Sequence, residues 1–250
     1  MSVFLLPDEI SKDIERMMTK FWWQSSMNDG KGIHWMAWHK LGKHKKGGGM
    51  GFRDLRDFNL ALLGKQGWCL LTRPHSLATK VFKARYFADG NFLSAKLGSN
   101  PSFVWQSIFE AQDLVLHGVR WCVGDGTSIS VLGEPWLPDP TTPMVVSSHP
   151  SLINTKVANL MTMEGLSWDE EIIEDLFEVR DQRLIKRIPL NVTSTTDHIY
   201  WTKEALGYYT VKSAYSLLQK QKGNWFEDNV AGFWNKLWSL QLPPKVTNLV

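Results

Sequence analysis

The chain has 250 residues, 43% hydrophobic and 21% charged, with a formal net charge of +3, thirteen tryptophans and two cysteines. This suits one large globular domain or two small ones. It excludes a helix that crosses a membrane, because no run of about 18 apolar residues occurs, and a disulfide framework, because Cys69 and Cys122 are too few.

Two cysteines also exclude a zinc site of four cysteines, or of three plus a histidine, within this chain. Both are expected as buried free thiols. The charge is uneven. Residues 1–120 hold 17 basic and 10 acidic side chains, a net +7; residues 121–196 hold 5 and 11, a net −6; residues 197–250 hold 6 and 4, a net +2. A polyanion would bind the first part and be repelled by the second. Val3 to Leu6 is too short an apolar patch for a signal peptide, so a soluble intracellular protein is expected.

In chain order, Pro7-Asp8 opens a helix to about Trp23, with Ile10, Ile14, Met17, Met18, Phe21 and Trp22 on one face. His34, His39 and His44 recur every five residues, which diverges on a helix, so they read as surface histidines. Trp35 and Trp38 fit one helical turn. Lys43, His44, Lys45 and Lys46 then form a basic run before Gly47, Gly48, Gly49 and Gly51. From Asp54 an amphipathic helix follows, with Leu55, Phe58, Leu62 and Leu63 on its stripe, running until Pro74 stops it. Cations, exposed backbone N–H groups and a helix N-terminus together suit phosphate, though neither a P-loop nor a Gly-x-Gly-x-x-Gly spacing is present. A polymer backbone is therefore the better ligand than a mononucleotide. The plain alternative is a flexible connection beside solvated lysines.

Ser76 to Phe87 reads as a helix with Leu77, Val81 and Phe82 inward. Pro101 to about His117 reads as another, capped by Asn100 or Ser102. Arg120 to Leu132 reads as a β-hairpin turning at Gly124-Asp125-Gly126. Asp139 to Pro150, rich in Pro, Ser and Thr, is the expected linker. Short helices follow at Val157 to Met161, Trp168 to Phe177 (capped by Ser167) and Arg180 to Ile188, with acidic faces that suit a protein partner. His198 to Trp201 and Tyr208 to Val211 read as a second hairpin, Lys212 to Gln221 as a helix, and Phe233, Trp234, Leu237 and Trp238 as a last apolar face. Lys245 to Val250 reads as an element cut short.

Several of these segments carry a resemblance. Phe21-Trp22-Trp23, Ile33-His34-Trp35, Trp38, Gly47 to Asp54 and Asn59 to Trp68 are similar to the region downstream of the polymerase domain in plant LINE-type (non-LTR) retrotransposon reverse transcriptases. Lys83 to Phe87, Leu97 to Ser102, Arg120 to Gly126 and Pro135 to Pro138 continue it in order. Gly207 to Tyr215, Trp234, Trp238 and Pro243 to Val246 resemble the start of the reverse-transcriptase zinc-binding module. The polymerase aspartates of that family form an aromatic-x-Asp-Asp motif, and this chain has no Asp-Asp pair. Tyr86-Phe87-Ala88-Asp89 is followed by Gly90. The module's Cys and His ligands would follow Val250.

The resemblance implies a non-catalytic fragment without cofactor or metal. Its expected contacts are to the RNA or DNA backbone through Lys43, Lys45, Lys46, Arg53 and Arg56, with Trp35 or Trp38 stacking on an unpaired base. The other reading is a structural or protein-interaction module, or the product of a decayed retroelement. An independent enzyme is disfavoured, since no Gly-x-Ser-x-Gly elbow occurs. The expected fold is mainly α (α+β): a helical subdomain with a hairpin over 1–138, a linker over 139–150, and a smaller α+β subdomain over 151–250.

Overall fold

The structure is a computed structural model that describes residues 2–23, 36–45, 48–162, 167–190 and 196–225, with Gly232, Lys236, Ser239 and Leu240. His34, Trp35, Lys46, Gly47 and the expected apolar face at Phe233, Trp234, Leu237 and Trp238 lie outside the described residues. The fold is mainly helical with one small antiparallel sheet. In order come α1 (Asp8–Trp23), α2 (Trp38–Leu41), α3 (Leu55–Thr72), α4 (Leu77–Tyr86), α5 (Phe103–Phe109), α6 (Gln112–Gly118), β1 (Val119–Cys122), α7 (Glu170–Leu176), α8 (Val179–Ile185), β2 (His198–Trp201) and α9 (Val211–Gln221). Short 3₁₀ turns occupy Pro150–Leu152 and Val157–Leu160.

The helix starts follow their caps. Side-chain oxygens of Ser76, Ser102, Asp169 and Thr210 accept the first free N–H groups of α4, α5, α7 and α9. Asp169, not Ser167, therefore caps α7. The single helix expected from Pro101 to His117 is two, α5 and α6. Ala111 N–H bonds back to the Ile108 carbonyl at 3.1 Å, a tightened turn that separates them.

The chain divides into two compact units that interleave in sequence. The first comprises 1–69, 97–114 and 210–250, and the second comprises 70–96 and 115–209. The expected linker belongs to the second unit. There the fully buried Asp181 carboxylate accepts Val146 N–H (2.9 Å), Ser147 N–H (2.9 Å) and Ser147 Oγ–H (2.6 Å). Arg180 holds Asp139 at 2.9 Å. Prolines and threonines that suit a linker are here fixed by partners the local composition does not reveal.

In the first unit α3 is enclosed rather than amphipathic. Asp57 and Asn59 are more deeply buried than Phe58 or Leu62, because each is partnered. Asn59 accepts Leu6 N–H at 2.7 Å and donates to the Phe4 carbonyl at 3.1 Å. Leu5 N–H donates to Ser107 Oγ at 3.0 Å, so residues 4–6 are strapped between α3 and α5. The apolar face of α1 is outward: Ile10, Met17 and Phe21 are exposed, Phe21 to 82%. Leu77 and Val81, expected inward on α4, are also exposed.

The second unit packs Val123, Ile129, Val131, Trp136, Leu137, Leu152, Val157, Leu160, Ile173, Phe177, Leu184 and Ile185 into one core. Each large side chain buried there contributes about 1.5–3 kcal/mol. Neither expected hairpin forms. β1 pairs instead with β2, with Val119 opposite Trp201 and Cys122 opposite His198. The Gly124-Asp125-Gly126 turn wraps around Asp197, which accepts N–H groups from Gly124 (2.8 Å), Gly126 (2.9 Å) and Ser128 (2.8 Å). Residues 129–131 then bond to 155–157, through Val131 N–H to Thr155 and Val157 N–H to Ile129, both at 3.0 Å. After β2 the chain makes one return bond, Trp201 N–H to Gly207 at 2.7 Å, and enters α9. Cys122 is exposed and Cys69 half-buried, where buried thiols were expected.

Candidate nucleic-acid interface

The loop between α2 and α3 is built by backbone folding on backbone. The Leu41 carbonyl accepts both Met50 N–H (2.9 Å) and Phe52 N–H (3.2 Å). Gly51 donates to Lys43 at 3.0 Å, Gly49 to His44 at 3.2 Å and Gly48 to Lys45 at 3.3 Å. Gly48 and Gly51 sit at φ of 79° and 74°, which favours glycine. A Cβ on Gly49 would collide with the Lys43 carbonyl. The glycines thus serve a tight turn, and the N–H groups of Gly48, Gly49 and Gly51 are taken internally rather than offered to an anion.

The α3 N-terminus is also occupied. Asp54 Oδ1 accepts Asp57 N–H at 2.8 Å, Glu15 Oε1 accepts Leu55 N–H at 3.0 Å, and Tyr215 Oη accepts Asp54 N–H at 3.0 Å. Carboxylates already stand where a phosphate would need to bind, which removes the helix-end part of the expected site. Asp57, 2% exposed, meets Lys222 Nζ at 2.6 and 2.8 Å and Gln219 Nε2 at 2.6 Å. Burial raises its pKa above the ordinary range, against the lowering effect of Lys222 and Gln219. Burial likewise raises Glu15, opposed by its bond from Leu55, and pushes Tyr215 up to about 12. Glu15, Asp54, Tyr215, Trp38, His39, Gly42, Gln219 and Asn224 line a cavity of about 240 Å³. Sequence reading missed this network. Its one local signal was polar Asp57 and Asn59 in the first turns of a helix rich in leucine.

The expected contact residues divide into two groups. Lys43, Lys45 and Arg53 are exposed, and the Arg53 guanidinium lies 4.4 Å over the Phe58 ring. Arg56 is committed to the fold: Nη1 donates to the Leu6 carbonyl at 2.5 Å and Nε stands 3.3 Å from Asp8 Oδ1. Trp38 stacks on Phe52 with ring centres 4.9 Å apart, and Trp22 meets the same Phe52 edge-on. Lys46 and Trp35 lie outside the described residues. The exposed cations can bind phosphates through side chains alone. Among the described residues no three His, Cys, Asp or Glu side chains gather as a metal set. Also among them, no helix is long and apolar enough to cross a membrane.

No family model matches the chain, and no solved structure is significantly similar to it. Two Arabidopsis thaliana proteins are similar. One, described as an "uncharacterized mitochondrial protein", is 39% identical over 142 residues, covering 56% of this chain and 92% of that protein. The other, described as a "putative ribonuclease H protein", is 32% identical over 254 aligned positions, covering 98% of this chain. The chain spans 40% of that second relative's length. With nearly the whole mitochondrial protein matched, the chain belongs to the plant family represented by these two proteins, which is typical of retrotransposon-derived sequences.

Proposed function

We propose that the chain is a non-catalytic part of a LINE-type reverse transcriptase that holds the RNA or DNA backbone without reading sequence. The supporting observation is that Lys43, Lys45 and Arg53 stay exposed around a tightly folded loop, within the residues of net charge +7. Lys46 adjoins them in sequence. Arg56 leaves the proposed contact set because its guanidinium has structural partners. Trp38 keeps only an accessory stacking role, since Phe52 already covers it. The ribonuclease H in the second relative's description is not carried over, because among the described residues no three His, Cys, Asp or Glu side chains gather as a metal set.

The test is binding of single-stranded RNA to the chain and to a Lys43→Glu/Lys45→Glu variant at two salt concentrations. Each lost phosphate contact should flatten the salt slope by about 0.7. Unchanged affinity in the folded variant, or no dependence on salt, would overturn the proposal. The exposed α1 face favours a second reading, a protein-interaction surface through Ile10, Met17 and Phe21. On that reading, polar substitutions there abolish partner capture and leave RNA binding unaltered.

A further inference from the structure

The second unit contains a cavity of about 600 Å³ that no part of the preceding reading uses. Its lining combines aromatic walls with cations. Trp121, Trp136 and Tyr200 supply flat apolar surface, and Arg120, Arg187 and Lys203 supply positive charge. Arg120 and Tyr200 are directly opposed across the β1–β2 pair.

Arg120 is the unusual member. It is 5% exposed, yet the acceptors found for its guanidinium are neutral backbone carbonyls: Val119 at 2.6 Å, Asp139 at 3.3 Å and Pro140 at 3.2 Å. The neighbouring Asp139 carboxylate is taken by Arg180 Nη2 (2.9 Å), Thr141 N–H (2.8 Å) and Oγ1–H (2.7 Å), and Thr142 N–H (3.2 Å). Among the described residues Arg120 therefore has no ion-pair partner. Buried charges normally require one. Burial pulls its pKa down from the ordinary arginine value, against the raising effect of nearby Tyr200 and Asp139. Trp121 adds an unsatisfied donor, an indole N–H that is buried without an acceptor. Exposed Arg187 provides a cation that needs no rearrangement to meet a ligand.

We propose that this cavity binds a nucleoside phosphate, with the phosphate oxygens toward Arg120 and Arg187 and the base against Tyr200 and Trp121. The volume lies in the usual range for small-molecule sites. An oxyanion would supply the missing counter-charge, and a planar ring would use the aromatic wall. Residues 121–196 carry a net −6, which disfavours a long polyanion laid across this unit and favours one nucleotide unit. That unit can be a free mononucleotide or the phosphorylated end of a strand.

The test titrates the full chain with AMP, adenosine, inorganic phosphate and a 5′-phosphorylated tetra-adenylate, reading tryptophan fluorescence and heat. AMP should bind saturably, and more tightly than adenosine or inorganic phosphate. Arg187→Gln, an exposed change that should leave the melting temperature alone, should weaken AMP by about tenfold, as should Tyr200→Ala. Lys43→Glu/Lys45→Glu should leave AMP binding unchanged, which separates this site from the loop proposed above. Tighter binding of the tetranucleotide assigns the site to a strand end, and tighter binding of AMP assigns it to a free nucleotide. The proposal is overturned if neither AMP nor the tetranucleotide binds. It is equally overturned if adenosine or inorganic phosphate matches AMP, or if AMP affinity survives both substitutions.

Discussion

Replacing Asp57 tests the energetic account of the first unit most directly. Its carboxylate joins α3 to Gln219 and Lys222, 162 and 165 residues away in sequence. In Asp57→Ala, the Gln219 amide, 2% exposed, loses its acceptor, which costs about 1–3 kcal/mol. Lys222 is half exposed, so its ion pair is screened and adds only about 1 kcal/mol. The expected loss is about 2–4 kcal/mol. Asp57→Asn keeps an oxygen for Gln219, removes the charge and turns its amide NH2 toward half-exposed Lys222. Since burial already disfavours that charge, its expected cost is about 1 kcal/mol. Lys222→Met leaves the carboxylate buried with Gln219 alone and should fall between the two. Urea unfolding combined with amide exchange in α9 reads the loss in the right element. Equal stabilities for the Ala and Asn variants would refute the claim that the buried acceptor dominates over the charge.

Arg56→Ala should lower stability by about 1–2 kcal/mol, through the Leu6 carbonyl and Asp8, while RNA affinity measured at low salt stays the same. Gly49→Ala should cost more than about 2 kcal/mol in thermal or urea unfolding, because the added Cβ meets the Lys43 backbone, which cannot swing aside as a side chain could. For pH, burial raises the folded-state pKa of Glu15, Asp57 and Glu134. The folded chain then keeps protons that the unfolded chain has released, so their contribution to stability is full below the ordinary carboxylate pKa and is lost as pH rises through the raised values. Glu134→Gln should flatten that decline in a stability-versus-pH series, at a roughly pH-independent cost, because its single amide oxygen can serve either Asn91 or the Ser130 N–H but not both.

The helices were legible because their determinants are local. Pro7-Asp8, Ser76 and Ser102 mark starts within a residue of where they occur, and the 3.6-residue pattern carries the rest, whereas Thr210, the cap of α9, was expected in a strand. The pairing of the strands was not legible, although β2 and all of β1 but Val119 fall inside segments expected to be extended. A strand's sequence states that it needs a partner, not which partner. Gly124-Asp125-Gly126 has the composition of a hairpin turn, yet its N–H groups close on Asp197, some 70 residues on. Apolar stripes were a partial guide. The face of α1 has helical period but is exposed, while α3 buries Asp57 and Asn59 beside its leucines. Period reports amphipathic geometry; burial depends on what the rest of the chain brings to each face.

The α2–α3 loop shows the same limit at the candidate site. Four glycines near three lysines suggested free N–H donors, because glycine permits a phosphate-binding turn. It also permits the chain to approach itself, and that is the use made of it here: Lys43 contributes its carbonyl to the turn while its ammonium remains outside. A backbone cradle would recognise one phosphate in a fixed place and lose it when a single N–H was displaced. Side-chain ammonium groups on a rigid turn instead offer charge without a fixed coordination geometry, which suits a repeating backbone. If that division is correct, Lys43→Arg should preserve RNA affinity, since charge rather than N–H geometry carries the contact, whereas Lys43→Gln should lower both affinity and salt slope. A Lys43→Arg variant that binds as weakly as Lys43→Gln would show that a specific pocket, and not the charged turn, makes the contact.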